Sequence, residues 1–140
     1  MGALTSRNVY GPVNSWRLGR SLGIDLLYGE KTCTLDCIYC QAGETCIYTK
    51  TRKVYVPDEV IMKQIRAFSG VKTDYITFSG KGEPTLAKNL GSIIKKIKRL
   101  RKEPVAVITN ASLMSRPDVR KGLTMADFVM AKLDACDEKL

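Results

Sequence analysis

Three thiols stand within eight residues of the stretch "KTCTLDCIYCQAG", at Cys33, Cys37 and Cys40, with the spacing C-x3-C-x2-C. Cys46 follows a short loop later, and a fifth cysteine, Cys136, lies far along the chain. Thiolates are soft donors, and a cluster of them selects zinc, cuprous copper or iron with sulfide over the hard cations. A structural zinc site closes on four ligands, commonly from two C-x2-C hooks, whereas here only Cys37 and Cys40 make a hook. Ferredoxin patterns also give four thiolates to each cluster. Three closely spaced cysteines leave one metal of a cubane without a protein ligand, and an open iron can bind something else. Histidine is absent from the chain, which removes His-based triads and His-containing zinc sites.

The remaining unusual chemistry sits in three short segments: "GKGEP" from Gly80, "TNAS" from Thr109 and "KLDA" from Lys132. Gly80 and Gly82 suit a close backbone approach to a ligand, or a positive φ; an ordinary strand-end turn is the plainer reading. No Gly-Lys-Ser or Gly-Lys-Thr occurs, so a phosphate loop is dismissed. Lys132 and Asp134 alternate with Leu133 and are expected to share one face of a strand.

Elements must carry these segments to one place. "SLGIDLL" (21–27) reads as a buried strand leading into the cysteine loop. Pro57 and Asp58 then open a helix with Val60, Ile61, Ile65 and Phe68 inward. "DYITFSG" (74–80) is a second strand, followed by a helix with Leu86, Leu90, Ile93, Ile94, Ile97 and Leu100 at helical spacing. "VAVITN" (105–110) is a third strand, 116–122 a short helix, and "DFVMAKL" (127–133) a fourth strand. Alternation of this kind predicts an α/β fold of parallel β/α units, about four of them, a partial (β/α) barrel. Ligands in such folds collect beyond the carboxyl ends of the strands, where all four unusual segments fall. Four units do not close a barrel, which takes eight and about 250 residues, so a single core domain over 1–140, cut short at its carboxyl end, is expected.

Composition bounds the rest. Hydrophobic residues make up 44% and charged residues 26% of the chain, the balance of a globular protein rather than a disordered one. No apolar run approaches the ~18 residues of a membrane span, so no membrane partner is expected. The start "MGALTSRNVYGPV" lacks the layout of a secretory signal. A cytoplasmic location, where disulfides are disfavoured, follows as the expectation. The net charge of +9 invites nucleic acid, with six cations in "IIKKIKRLRKEP" alone. Yet those cations occupy the outer face of an amphipathic helix with no aromatic residue interleaved to stack on bases, which favours a solvated face.

"CTLDCIYC", with an aromatic residue directly before its last cysteine, resembles the signature of the radical S-adenosylmethionine (SAM) enzymes. "GPVNSWRLGRSLGID", "CQAGET", "YVPDEV", "FSGKGEPTL", "ITNASL" and "AKLDACDE" resemble successive blocks of an iron-sulfur oxidoreductase subgroup related to the wybutosine tRNA synthases. The resemblance implies that Cys33, Cys37 and Cys40 ligate three irons of a 4Fe-4S cluster, whose fourth iron chelates the amino and carboxylate groups of SAM. An electron from an external donor of the flavodoxin or ferredoxin type then cleaves the sulfonium to methionine and a 5′-deoxyadenosyl radical, which abstracts hydrogen from a substrate. The cofactors perform the hard chemistry, and the protein holds them and excludes water.

The same resemblance places Tyr39 near the adenine, Gly80 and Gly82 against the methionine amino group, and Glu83 in a charge-assisted contact to that ammonium. Asn110 becomes a polar contact to the cofactor, and Lys132 and Asp134 contacts to ribose and carboxylate. Packing of the loop by Tyr39, a turn-forming Asn110 and a structural Lys132-Asp134 salt bridge are the plainer alternatives. Relatedness to tRNA-modifying enzymes and the positive charge point to RNA, tRNA among them, as one candidate substrate, with protein and small-metabolite substrates left open. Cys46 stands where a Thr is expected in relatives, and Trp16, Lys81 and Ala111 also depart from the pattern. Cys46 as a fourth ligand would turn the cluster into a zinc module supporting a basic nucleic-acid-binding surface.

Overall fold

The computed structural model of the chain describes residues 7–134. Cys136 and the end of the "AKLDACDE" block lie outside them. A five-stranded sheet runs in the order β1-β2-β5-β6-β7, and a two-stranded sheet pairs β3 with β4. The strands are β1 (Val9–Ser15), β2 (Gly19–Ile24), β3 (Thr32–Cys33), β4 (Ile47–Tyr48), β5 (Tyr75–Phe78), β6 (Val105–Thr109) and β7 (Phe128–Ala131). The helices are α1 (Asp58–Ala67), α2 (Leu90–Leu100) and α3 (Pro117–Leu123), and a 3-10 turn covers Pro84–Leu86. From β2 to β7 every neighbour in the large sheet is parallel.

The four predicted strands are therefore present, each shorter than its apolar run. The strand read over 21–27 stops at Ile24, because the Asp25 carboxylate accepts the Leu27 N–H at 2.9 Å and turns the chain. Lys132, Leu133 and Asp134 lie beyond β7 rather than inside it. Strand β1 was not anticipated. It runs antiparallel to β2, and its register shifts between Tyr10 and Val13, at Gly11 and Pro12. A Gly-Pro pair reads as a turn in sequence, but an edge strand tolerates proline at a bulge. The result is an open, mostly parallel sheet with three helices.

Period-two alternation separates the faces of the sheet. Leu22, Ile24, Ile76, Phe78, Val105 and Val107 join the hydrophobic core with the helices. Helix α2 forms because Leu90, Ile93, Ile94 and Ile97 recur at helical spacing, and all four are buried. Full burial of each such side chain contributes about 1.5–3 kcal/mol. Its last turn carries Lys98 and Arg99, which favour the carboxyl end of the helix dipole. Two apolar positions read as inward, Val60 and Leu100, are in fact exposed.

The basic run is less solvated than its pattern indicates. Lys96 pairs with Asp58 at 2.8 Å and Lys98 with Asp127 at 2.7 Å. Arg101 follows α2 and ties it to the end of α1: its guanidinium donates to the carbonyls of Phe68 (2.6 Å) and Val71 (2.9 Å) and pairs with Glu103. The helix stops at Leu100, so Arg101 does not share the outer face.

Candidate metal and cofactor site

The chain leaves β2, turns on Asp25 and enters β3, which carries Thr32 and a buried Cys33. Two turns follow: the Cys40 N–H donates to the Cys37 carbonyl at 3.0 Å, and the Gly43 N–H to the Cys40 carbonyl at 3.1 Å. Gly43 has φ +81°, a conformation that favours glycine. Buried Thr45 closes the loop, donating its N–H to Asp36 and its hydroxyl to the Leu35 carbonyl, both at 2.8 Å. The Thr45 N–H holds the Asp36 carboxyl below its ordinary range.

This loop is sewn to the end of β6. Asn110 Nδ2 donates to Thr34 Oγ1 at 2.9 Å and lies 3.7 Å from Cys33 Sγ, while the Thr34 and Ser112 hydroxyls meet at 2.6 Å. Glu83, only 2% exposed, anchors the opposite side. Its Oε1 accepts from the Thr85 N–H (3.1 Å), the Thr85 hydroxyl (2.6 Å) and the Thr109 hydroxyl (2.6 Å). Its Oε2 accepts the Asn110 N–H at 2.8 Å. Glu83 thus binds the loop after β5 to the end of β6.

Neither Gly80 nor Gly82 has a positive φ. Their small size serves contacts within the protein: a Cβ on Gly80 would strike the Asp25 carboxylate, and one on Gly82 the Thr32 carbonyl oxygen. Gly82 lets this loop meet β3, where the Glu83 N–H donates to the Thr32 carbonyl at 3.3 Å. Asp25 fixes the same loop by accepting the Lys81 N–H at 3.1 Å.

Cys33, Cys37 and Cys40 line one open cleft of ≈ 150 Å³. Gly80, Lys81, Gly82 and Glu83 form a second wall of it, Thr109 and Asn110 a third, and Lys132 a fourth. The segments following β2, β5, β6 and β7 therefore meet at the carboxyl ends of the parallel strands. Tyr39 is half exposed beside them. Its hydroxyl donates to Asp134, which raises the phenol pKa, and the Lys132 ammonium lies 4.7 Å from its ring centre. Lys132 and Asp134 meet through Tyr39, and the salt bridge between them does not form among the described residues. For Cys40, burial pushes the thiol pKa up. The Ala42 backbone with the cations Lys31 and Lys132 outweighs this, and the net shift is downward, toward the thiolate a metal needs.

Three soft thiols sharing one cleft are the donor type that an iron-sulfur cluster takes. Among the described residues no three Cys, Asp or Glu side chains converge closely enough to hold one metal ion, as tetrahedral zinc requires. A cubane takes one thiolate at each ligated iron, and Cys33, Cys37 and Cys40 all line the one cleft. Cys46 is exposed, sits 3.9 Å from the Glu44 carbonyl and does not line the cleft. Cys46 therefore stands apart from the cleft that the three signature thiols line. Sequence reasoning missed Asp25, Lys31 and Thr34, whose only signal is a polar residue at the mouth of an apolar strand or beside a cysteine.

The Radical SAM superfamily profile matches residues 31–140. A UPF0026 protein of Synechocystis sp. is 48% identical over 126 residues, covering 90% of this chain and 48% of that protein. A protein named GTPase Obg, from Brachyspira hyodysenteriae, is 46% identical over 134 residues, 94% of this chain and 20% of that one. A UPF0026 protein of Methanocaldococcus jannaschii is 42% identical over 137 residues, 94% of this chain and 41% of that one. The chain spans about half the length of these relatives or less. Their names are not those of wybutosine synthases, so that subgroup is not shown. No solved structure matches the chain. With three cysteines of the signature on one cleft and the profile spanning most of its length, the chain belongs to the radical SAM superfamily.

Proposed function

We propose that Cys33, Cys37 and Cys40 hold a 4Fe-4S cluster and that SAM binds against it in the same cleft. The observation that carries this reading is the meeting of the three signature thiols with the Gly80–Glu83 loop, Asn110 and Lys132 on one cleft. When bound, cluster and nucleotide together supply one-electron reductive cleavage of the sulfonium and, from it, hydrogen abstraction.

The chain's own residues bind and orient. The backbone of Gly80 and Gly82 faces the methionine end. Glu83 supplies an acceptor through Oε2, which carries one protein donor, while Oε1 is committed to three. Asn110 holds the cluster loop through Thr34 and presents its amide to the cleft. Tyr39, held by Asp134 and Lys132, packs beside the adenine, and Lys132 offers its charge to the nucleotide carboxylate. The electron comes from an external donor of the flavodoxin or ferredoxin type. RNA is the substrate class that the net charge of +9 supports, with Lys95, Arg99 and Lys102 free of ion pairs among the described residues, and tRNA is the RNA to test first.

Anaerobic loading with iron and sulfide tests the assignment. A brown, oxygen-sensitive chromophore is expected, lost in Cys37→Ala and kept in Cys46→Ala. Stoichiometric zinc without acid-labile sulfide in protein purified away from oxygen would overturn it.

A further inference from the structure

Lys31 stands two residues before Cys33 and is only 5% exposed. Long cationic side chains are rarely buried without a partner. Here the ammonium donates to the Gly43 carbonyl, inside the cysteine loop, and no carboxylate pairs with it among the described residues. Asp36, the acid whose field it shares, directs Oδ1 to the Thr45 N–H. Lys31 also lines the thiol cleft, together with Cys33, Cys37 and Cys40. Its backbone is fixed as well: the Lys31 carbonyl accepts the N–H groups of Cys46 and Ile47, both at 3.0 Å. A buried positive charge on the wall of a cleft of thiols therefore has no carboxylate in salt-bridge contact among the described residues.

We propose that Lys31 is a positioning residue whose buried ammonium compensates the charge of the thiolate-ligated cluster and makes it easier to reduce. The proposal rests on the cluster assignment above. Three thiolates outweigh the positive charge of a cubane core, so the assembly is anionic, and the electron delivered by the external donor makes it more so. A fixed cation on the wall beside the thiol ligands favours the reduced form, since the net charge around such clusters helps to set their potential. Lys81 and Lys132 also line the cleft, but both are exposed, where water and salt screen their charges. Among the described residues, Lys31 is the one buried cation on the wall.

The test loads the full chain anaerobically with iron and sulfide and follows the cluster by EPR during a dye-mediated redox titration. Parent, Lys31→Met and Lys31→Arg are compared. Methionine keeps the length of the stem and removes the charge; arginine keeps the charge. Lys31→Met with the parental iron content is expected to titrate at a more negative midpoint, and Lys31→Arg at the parental one. An unshifted midpoint in Lys31→Met overturns the proposal, because a merely structural latch to Gly43 would leave the potential alone. Should Lys31→Met retain no cluster, Lys31→Arg decides: parental iron and midpoint support the requirement for charge, and loss of the cluster there too overturns it. A parent chain that takes up no cluster contradicts the cluster assignment itself.

Discussion

Glu83 Oε2 lies 2.8 Å from the backbone nitrogen of Asn110, so the loop after β5 and the end of β6 form one hydrogen-bonded unit. Around it gather the thiol loop, through Asn110 and Thr34, and β3, through Gly82 and Thr32. Glu83 and Asn110 thus hold the site together while also lining the cleft.

Removing that carboxylate should unfold more than it disarms. Glu83→Ala leaves buried donors of Thr85, Thr109 and Asn110 without their acceptor, at about 1–3 kcal/mol for each unsatisfied group. A loss of about 3 kcal/mol or more is expected in urea denaturation. A loss below about 1 kcal/mol would show that the network does not stabilise the strand ends.

Gly82→Ala should prevent cluster assembly, because the new Cβ falls on the Thr32 carbonyl and pushes β3, with Cys33, away from the second wall. Gly70→Ala is the matched control, with open space around the added atom and no positive φ. Iron content after reconstitution is the readout. Equal loading of both variants would contradict the close approach.

Acid should weaken the fold through five carboxylates. Burial pushes the Asp58 pKa up, but hydrogen bonds from Lys96, Ser92 and Asn89 outweigh it and hold the group below its usual value. Arg101 lowers Glu103, and Lys98 lowers Asp127. A depressed folded-state pKa stabilises fully above the unfolded value, near 4, and that contribution is lost as pH falls through the folded one. Asp25 runs the other way: burial raises its pKa despite the Leu27 and Lys81 N–H groups, so protonating it favours the fold. Asp36 and Asp118, both at the surface, are also held below their usual range, so five lowered carboxylates against one raised predict lower stability at about pH 3 than at about pH 6. Asp58→Asn should be less stable than the parent at the higher pH and closer to it at the lower. A gap that does not narrow would contradict the ion pair with Lys96.

Much of this was legible because parallel strands buried on one face leave apolar runs, and because chemistry collects at their carboxyl ends. The cysteines, "GKGEP", Asn110 and Lys132 could be placed on one side of the sheet from order alone. Other features were not legible. Strand β1 hides behind Gly11 and Pro12, and β3 and β4 are two residues each, too short to show a period. A glycine that admits a ligand and one that admits a neighbouring strand look identical in sequence, so Gly82 against Thr32 emerges only in three dimensions. Likewise Lys31 is one more cation until its burial is seen.

RNA affinity should depend steeply on salt. Counterion release predicts that the logarithm of the tRNA binding constant falls linearly with the logarithm of salt concentration, by about 0.7–0.9 for each phosphate contact. Arg99→Glu on the exposed face of α2 should lower that slope by about one contact. Undetectable tRNA binding at low salt would remove RNA as the substrate.

The most direct measurement is the EPR spectrum of the reduced, reconstituted chain before and after SAM is added. Three protein ligands leave one iron open, so the signal should change on addition of the nucleotide, and should do so equally in Cys46→Ala. A cluster whose signal ignores SAM in the parent and begins to respond only when Cys46 is removed would mean that the fourth corner is capped by the chain, and would contradict the account.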